Sequence, residues 1–150
     1  MTALRNALST FEPVVTEART VPDYSTWVAA IAPVSSTVLV RVDELTDRAR
    51  EILSRIKSFS RLRENWDSYG AQQLSNVAIQ NAFAFVAMAD RLRLPLFFTA
   101  PGPDGEILVE LQSSNKSIEI TFEPDGTAFY AKFIGVDCVE EGTLEDQALD

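Results

Sequence analysis

Histidine is absent from the sequence, and cysteine occurs once, as Cys138. The absence of histidine excludes Ser-His-Asp and Cys-His catalysis and the zinc and non-haem iron sites that use imidazole ligands. A single cysteine excludes a disulfide within the chain. Acid–base chemistry would have to rest on Asp, Glu, Lys, Tyr or Cys. Nothing in the sequence brings these residue types together, so we expect no enzyme activity and no catalytic, cofactor or metal site.

Long apolar runs are also missing. The most apolar early stretch, residues 28–40, contains Pro33 and is too short to span a membrane. The first ten residues carry one basic residue, and Glu12-Pro13 interrupts the apolar core that a secretory signal needs. No Gly-rich phosphate loop or dinucleotide fingerprint occurs. We therefore expect a cytoplasmic protein that does not bind a membrane.

Negative charge is abundant but unevenly placed. Residues 1–75 hold 9 basic and 9 acidic residues, whereas residues 76–150 hold 4 basic and 13 acidic residues, so the whole net charge of −9 falls in the second half. An acidic surface repels phosphate backbones, so the sequence argues against nucleic acid as a partner. It suits a basic protein partner, or it simply keeps the protein soluble.

Two helices are predicted in the middle of the chain. Apolar residues from Val42 to Phe59 are spaced 3, 4, 3, 4 and 3, which is a heptad seam and predicts a helix over about 42–64. The seam packs on the protein's own second helix or on another subunit. The second helix, about 75–92, is apolar nearly all round, which is typical of a buried helix, and Ser75 is its expected N-cap.

The remainder predicts an antiparallel meander of three to four strands. The Pro-Asp-Gly sequences at 103–105 and 124–126 are turn signals, because proline presets φ and glycine accepts a left-handed conformation. They divide the segment into strands near 96–100, 106–112, 117–123 and 127–133. The fold class is therefore α+β. Residues 1–40 are poorly defined, 41–135 form the α+β core, and 136–150, with six acids and no base, form an acidic tail that we expect to be disordered.

Alternation along these strands sorts their side chains into two faces. With a turn around Ser113 to Lys116, Ile107, Val109 and Leu111 share the core face with Ile118, Ile120 and Phe122, and Phe129, Ala131 and Phe133 are predicted to continue it. The other face then holds Glu110 opposite Glu119, Glu106 opposite Glu123, and Lys132 beside Glu119. Like charges directly opposite are destabilising. The face is either a solvated surface screened by salt or a docking surface for a basic partner.

The segment Asn65 to Ala71 separates the two helices. Its Trp66, Asp67 and Tyr69 are candidates for partner binding, because aromatic residues in a loop stack on ligands. They can equally anchor the corner between the helices while Asp67 caps nearby amides. Together with Glu106, Glu110, Glu119 and Glu123 they make up the candidate site.

The Asn-Trp-Asp-x-Tyr-Gly-Ala sequence at 65–71, followed by an apolar helix and the two Pro-Asp-Gly hairpins, resembles a widespread group of small bacterial proteins without an established activity. The resemblance covers about half of the chain. This sequence departs from it at Ser68, where many members have glycine, and at Leu111, where many have tryptophan. The resemblance implies a fold and a bacterial or phage origin, and it implies no reaction.

Three functions are consistent with the sequence. The first is a non-enzymatic binding protein, antitoxin-like or inhibitor-like, that engages a basic protein partner through the acidic sheet face and the acidic tail. The second is a structural or assembly subunit that forms a homo-oligomer through the seam of residues 42–59. The third is a weak nucleic-acid binder that uses Trp66 and a basic patch of Arg55, Lys57, Arg61 and Arg63.

Overall fold

The computed structural model describes residues 44–144. The N-terminal segment 1–40, which the sequence leaves poorly defined, lies outside these residues. The described part contains two helices followed by a five-stranded antiparallel sheet, in chain order. They are α1 (Asp47–Phe59), α2 (Asn76–Arg91), β1 (Leu96–Pro101), β2 (Ile107–Ser113), β3 (Lys116–Phe122), β4 (Ala128–Ile134) and β5 (Asp137–Thr143). The α+β class is confirmed.

Helix α1 is shorter at both ends than the predicted range of 42–64. It begins after Thr46, whose extended backbone leaves its hydroxyl free to accept a hydrogen bond from the Ala49 amide at 3.2 Å. It ends because the amides of Ser60, Arg61 and Leu62 bond to carbonyls three residues back, which tightens the last turn. The apolar periodicity continues past this point, so periodicity alone overestimates the length of the helix.

Helix α2 agrees closely with its predicted range. Ser75 is the N-cap, since its hydroxyl accepts a hydrogen bond from the Val77 amide at 3.2 Å. The same hydroxyl donates to the Pro124 carbonyl at 3.2 Å, which ties the start of the helix to the turn before β4. The helix ends before Arg93, which has a φ of 58°, and Pro95 prevents its continuation.

A buried carboxylate joins the two helices. Asp90, in the last turn of α2, accepts hydrogen bonds from the backbone amide of Thr46 at 3.0 Å and from its hydroxyl. The N-cap of α1 is thus held by the end of α2. A negative charge at this position also interacts favourably with the positive end of the α1 dipole.

The five strands are each paired with the next one along the chain. The predicted register of β2 and β3 is confirmed: Leu111 pairs with Ile118, Val109 with Ile120, and Glu110 with Glu119. Strand β1 adds to the other side of β2 with a bulge between Leu96 and Phe98. The alternation of apolar residues fixes this register because a one-residue slip would expose every core side chain.

The predicted register of β4 is wrong by one residue. Ile118 pairs with Lys132 and Ile120 with Tyr130, so the core face of β4 carries Ala128, Tyr130 and Lys132. The predicted core residues Phe129, Ala131 and Phe133 point to the opposite face. The prediction chose the more apolar set of alternating residues, and the chain instead buries the set that contains a lysine.

The acidic segment is not disordered over its first half. Residues 137–143 form β5, which pairs with β4 and carries a bulge opposite Lys132 and Phe133. The reason is that its acids alternate between the two faces: Glu140 lies opposite Lys132, and Glu141 lies opposite Ala131. Residues 145–150 lie outside the described part.

The core lies between the helices and one face of the sheet. Helix α1 packs on α2 and β1, and α2 packs on β1, β2 and β3. The seam residues Ala49, Ile52 and Ile56 are at most 2% exposed, and they belong to the same core as the inner residues of the sheet. The seam is therefore covered within the chain.

Replacing Ile56 with alanine tests this packing. Ile56 is fully buried, so its truncation should reduce the free energy of unfolding by about 2–5 kcal/mol. Lys57→Ala, at the adjacent exposed position, is the matched control and should change it by less than about 0.5 kcal/mol. Urea unfolding of each variant gives these values, and the midpoints should not depend on protein concentration. A concentration-dependent midpoint that is lost in Ile56→Ala would instead place the seam between subunits.

Candidate protein-binding surface

The outer face of the sheet, which points away from the two helices, carries five glutamates. Glu110 and Glu119 lie opposite each other in its centre, and Glu141 lies two strands further along the same row, beyond Ala131. Glu106 and Glu123 flank the end pair Ile107 and Phe122, so alternation places both on the outer side. We call the surface formed by Glu106, Glu110, Glu119, Glu123 and Glu141 the acidic face.

Glu110 and Glu119 form the like-charge pair that the sequence predicts. Both side chains are half-buried on the face. Partial burial raises the pKa of Glu110, and the negative charge of Glu119 raises it further. Since a raised folded-state pKa disfavours the ionised carboxylate, any stability that this group contributes is present below its unfolded pKa of 4.5 and is lost as the pH rises. At neutral pH the pair is under repulsion that a cation would relieve.

Glu106 and Glu123 lie at the end of the sheet where the two Pro-Asp-Gly turns meet. Partial burial and the nearby charges of Glu106, Asp125 and Asp104 raise the pKa of Glu123. The side chain of Glu106 folds back over Gly102 and accepts a hydrogen bond from the Asp104 amide at 2.8 Å. Glu106 therefore also stabilises its own turn.

The loop Asn65–Ala71 is held by its own hydrogen bonds. One carboxylate oxygen of Asp67 accepts from the amides of Tyr69 at 2.8 Å and Ala71 at 3.0 Å, and the Asn65 side chain accepts from the Gly70 amide at 2.8 Å. The loop includes three positive φ angles, at Asn65, Ser68 and Gly70. Asn65 and Asp67 suit this loop because their side chains bond to nearby amides, and Gly70 suits it because glycine accepts a positive φ.

Hydrogen bonds also fix the position of this loop against the sheet. The Gln72 amide donates to the Pro103 carbonyl at 2.7 Å, and the Ser75 amide donates to the Gly105 carbonyl at 3.1 Å. Gly105 has a φ of 92°, and a side chain there would press on the Gln73 carbonyl. These bonds hold the end of the loop at the same end of the sheet as Glu106 and Glu123.

The three loop candidates have different environments. The Trp66 indole donates to the Gln72 carbonyl at 3.2 Å, and the amides of Tyr69 and Ala71, through their hydrogen bonds, lower the pKa of Asp67. Both side chains therefore stabilise the corner, as the structural interpretation of this segment expects. Tyr69 is 93% exposed, which leaves it as the loop residue best placed to meet a partner.

A buried cluster on the inner face was not predicted. Lys132 is 5% exposed, and its ammonium group lies 3.2 Å from a carboxylate oxygen of Glu140. The other oxygen of Glu140 accepts a hydrogen bond from the Tyr130 hydroxyl at 2.9 Å. Burial, followed by this contact, raises the pKa of Tyr130 to about 12. Gly142 leaves room for the Tyr130 ring, since a Cβ there would lie 3.0 Å from it.

Exposed aromatic residues on the acidic face were also missed. Phe98 pairs with Glu110 and is 38% exposed, and Phe129 pairs with Thr121 and is 42% exposed. Phe133 lies on the same side. The sequence contains a signal for Phe98, because β1 has apolar residues at consecutive positions and one of them must face outward.

Residues 44–144 contain neither a metal-binding cluster nor a membrane-spanning helix. In this range no group of three or more Cys, Asp or Glu residues is arranged to hold a metal ion. Neither described helix is long and apolar enough to cross a membrane.

Comparisons with protein families, with curated proteins and with solved structures find no match to this chain. No function is therefore carried over from a relative, and the resemblance of residues 65–71 to a bacterial group stays a prediction.

The pH dependence of stability tests the role of Asp67. Because backbone hydrogen bonds lower its pKa in the folded state, Asp67 contributes stability that is present above its unfolded pKa of 3.8 and is lost as the pH falls. The free energy of unfolding of the wild type should therefore decrease more steeply than that of Asp67→Asn between about pH 5 and pH 2. Chemical unfolding at a series of pH values measures both slopes. Equal slopes would show that Asp67 does not hold the loop.

Adjacent glutamates on opposite faces test the buried cluster. Glu140→Ala removes the partner of a buried lysine and should reduce the free energy of unfolding by about 1–3 kcal/mol, a range that allows for the partial exposure of Glu140. Glu141→Ala, one residue away on the acidic face, should change it by less than about 0.5 kcal/mol. Thermal or urea unfolding compares the two. Equal effects would contradict the inward orientation of Lys132.

Proposed function

We propose that this protein is a non-enzymatic binding protein that engages a basic protein partner through the acidic face. It would act as antitoxin-like or inhibitor-like proteins do, by covering a functional surface of its target. The observation that carries the proposal is the sign of the charges on this face. It holds five glutamates, and neither lysine of the sheet lies on it.

The positions of the two lysines follow from the register. Lys132 lies on the inner face, bonded to Glu140. Lys116 lies two residues before Ile118 on β3, so alternation places it on the inner side, at the exposed end of the strand. The prediction from sequence had placed Lys132 beside Glu119, where it would have neutralised part of the face. In strands β1 to β5 the outward positions therefore carry acids without a compensating base.

Such a surface favours a cationic partner for two reasons. Complementary charge accelerates encounter and suppresses association with acidic or nucleic-acid competitors. A lysine or arginine placed between Glu110 and Glu119 would also relieve a repulsion that the free protein carries. The first effect weakens with salt, because a surface charge is screened.

The two alternative functions have less support from the described residues. The seam of residues 42–59 is covered within the chain from Ala49 to Ile56, which leaves little of it for a second subunit. In the basic patch, Arg55 forms an ion pair with Glu51, and the indole N–H of Trp66 is bonded to the backbone. Neither feature resembles a stacking platform for bases.

Charge reversal on the acidic face tests the proposal. The triple variant Glu110→Lys, Glu119→Lys and Glu141→Lys should lose a basic protein that the wild type retains from a lysate of its own source cells. A stoichiometric complex that forms with the wild type should weaken by at least about 100-fold, since each lost charge contact in an interface contributes on the order of 1 kcal/mol or more. Calorimetry with the purified partner gives the ratio of dissociation constants.

A matched variant separates surface location from total charge. Asp47→Lys, Glu51→Lys and Glu64→Lys change the net charge by the same amount at exposed positions in and after α1, outside the acidic face. This variant should bind the partner within about threefold of the wild type. If both triple variants lose binding equally, the interaction depends on overall charge and the acidic face is not the site. If neither loses it, the proposal is wrong.

A further inference from the structure

The side chains on the outer face of the sheet are arranged in three rows across the strands. The central row, in strand order, is Phe98, Glu110, Glu119, Ala131 and Glu141. The row towards the Pro-Asp-Gly turns is Ala100, Leu108, Thr121, Phe129 and Thr143. The row on the other side is Gln112, Ser117, Phe133 and Cys138. The central row therefore carries three acids, and the neighbouring rows carry the apolar side chains of Leu108, Phe129 and Phe133 among polar ones.

The apolar part of this pattern distinguishes the surface from an ordinary solvated acidic one. Phe98 and Phe129 are 38% and 42% exposed on a face that also contains Leu108. Exposed aromatic residues are typical of interfaces, where they are enriched relative to the rest of the protein surface. A partner that matched only the charges would leave these rings in water.

The spacing of the acids indicates the shape of the partner. Neighbouring strands lie about 4.8 Å apart, so Glu110 and Glu119 are separated by about 5 Å, and Glu110 and Glu141 by about 14 Å along the row. On one side of an α-helix, residues i and i+4 are about 6 Å apart, and residues i and i+11 about 16 Å apart. A helix lying along the central row would place one base near each glutamate.

A helix in this orientation also covers the apolar residues of the neighbouring row. Rows on one face of a sheet are about 7 Å apart, which is less than the diameter of a helix of about 10 Å. A helix over the central row therefore also reaches Leu108 and Phe129 with an apolar stripe beside its basic one. Helix-in-groove recognition by such stripes is a recurring mode of binding.

We propose that the acidic face binds an amphipathic basic helix of the partner protein, with lysine or arginine over Glu110, Glu119 and Glu141 and apolar residues over Leu108 and Phe129. This inference rests on the proposed function and specifies the kind of partner segment.

Synthetic peptides provide the test. The probe is a helix-stapled peptide of about 15 residues with lysines at i, i+4 and i+11 and leucines along the neighbouring stripe. The control peptide has the same composition and staple, with lysines and leucines permuted so that no stripe exists. Fluorescence anisotropy with the full chain should give a dissociation constant for the probe at least about tenfold lower than that of the control.

Variants of the protein locate the binding. Glu110→Gln with Glu119→Gln, and separately Phe129→Ser, should each weaken the probe by at least about tenfold. The control variant Asp47→Asn with Glu64→Gln should leave it within about threefold. If probe and control peptides bind equally and the glutamine variant weakens both, a basic partner remains supported and the helix is excluded. If the glutamine variant and its control bind the probe equally, both the helix and the proposed function fail.

Binding of something other than a partner helix to the acidic face would give one of two different results. A second copy of the chain on this face would give a concentration-dependent mass that Phe129→Ser abolishes. Occupation by residues of the same chain outside 44–144 would give an intramolecular product when a photo-crosslinking residue replaces Phe129. Either result would overturn the assignment to a partner helix.

Discussion

The pairing of Ile118 with Lys132 determines the character of both faces of the sheet. Side chains alternate along a strand, so this register sends Lys132 inward together with Tyr130 and sends Phe129, Ala131 and Phe133 outward. A shift by one residue would place a lysine beside Glu119 and bury three apolar side chains. The hairpin around Pro124–Gly126, closed by the Glu123 amide on the Thr127 carbonyl at 2.9 Å, stabilises the observed register.

The buried lysine in turn requires the fifth strand. An ammonium group that leaves water needs a carboxylate and hydrogen bonds, and Glu140 provides the carboxylate from β5. Glu140 also accepts from Tyr130, and Gly142 accommodates the tyrosine ring. The acidic segment after β4 is thus drawn into the sheet, and Glu141 joins the outer row as a consequence. One contact on the inner face therefore completes the surface on the other face.

Local signals predict much of this fold. The apolar face of α2, its Ser75 cap and the Pro-Asp-Gly turns each correspond to an element or boundary that the structure contains. The β2–β3 register follows from a short turn and strict alternation. The register of β4 does not follow, because both of its faces contain aromatic or small apolar residues and the more apolar set is the wrong one. Strand β5 was missed because its glutamates suggest a solvated tail until Lys132 is known to need one of them.

The sequence predicts only part of the candidate binding surface. Glu110 and Glu119 are opposite each other as expected, whereas Glu141, Phe98 and Phe129 depend on β5, on the β1 bulge and on the β4 register. The loop residues Trp66 and Asp67 turn out to hold a corner, and only Tyr69 is fully exposed. Alternation within one strand is visible in a sequence, whereas the juxtaposition of side chains from five strands depends on pairing, which local patterns determine weakly.

The most direct test of the account is the reactivity of the three lysines, Lys57, Lys116 and Lys132, towards an amine-reactive reagent in the folded protein, followed by mass spectrometry of peptides. The structure predicts rapid modification of Lys57 and Lys116, which are exposed, and strong protection of Lys132, which becomes reactive only after unfolding. Modification of Lys132 as fast as the other two would place it on the outer face beside the glutamates and would contradict the unbalanced acidic surface from which the function is inferred.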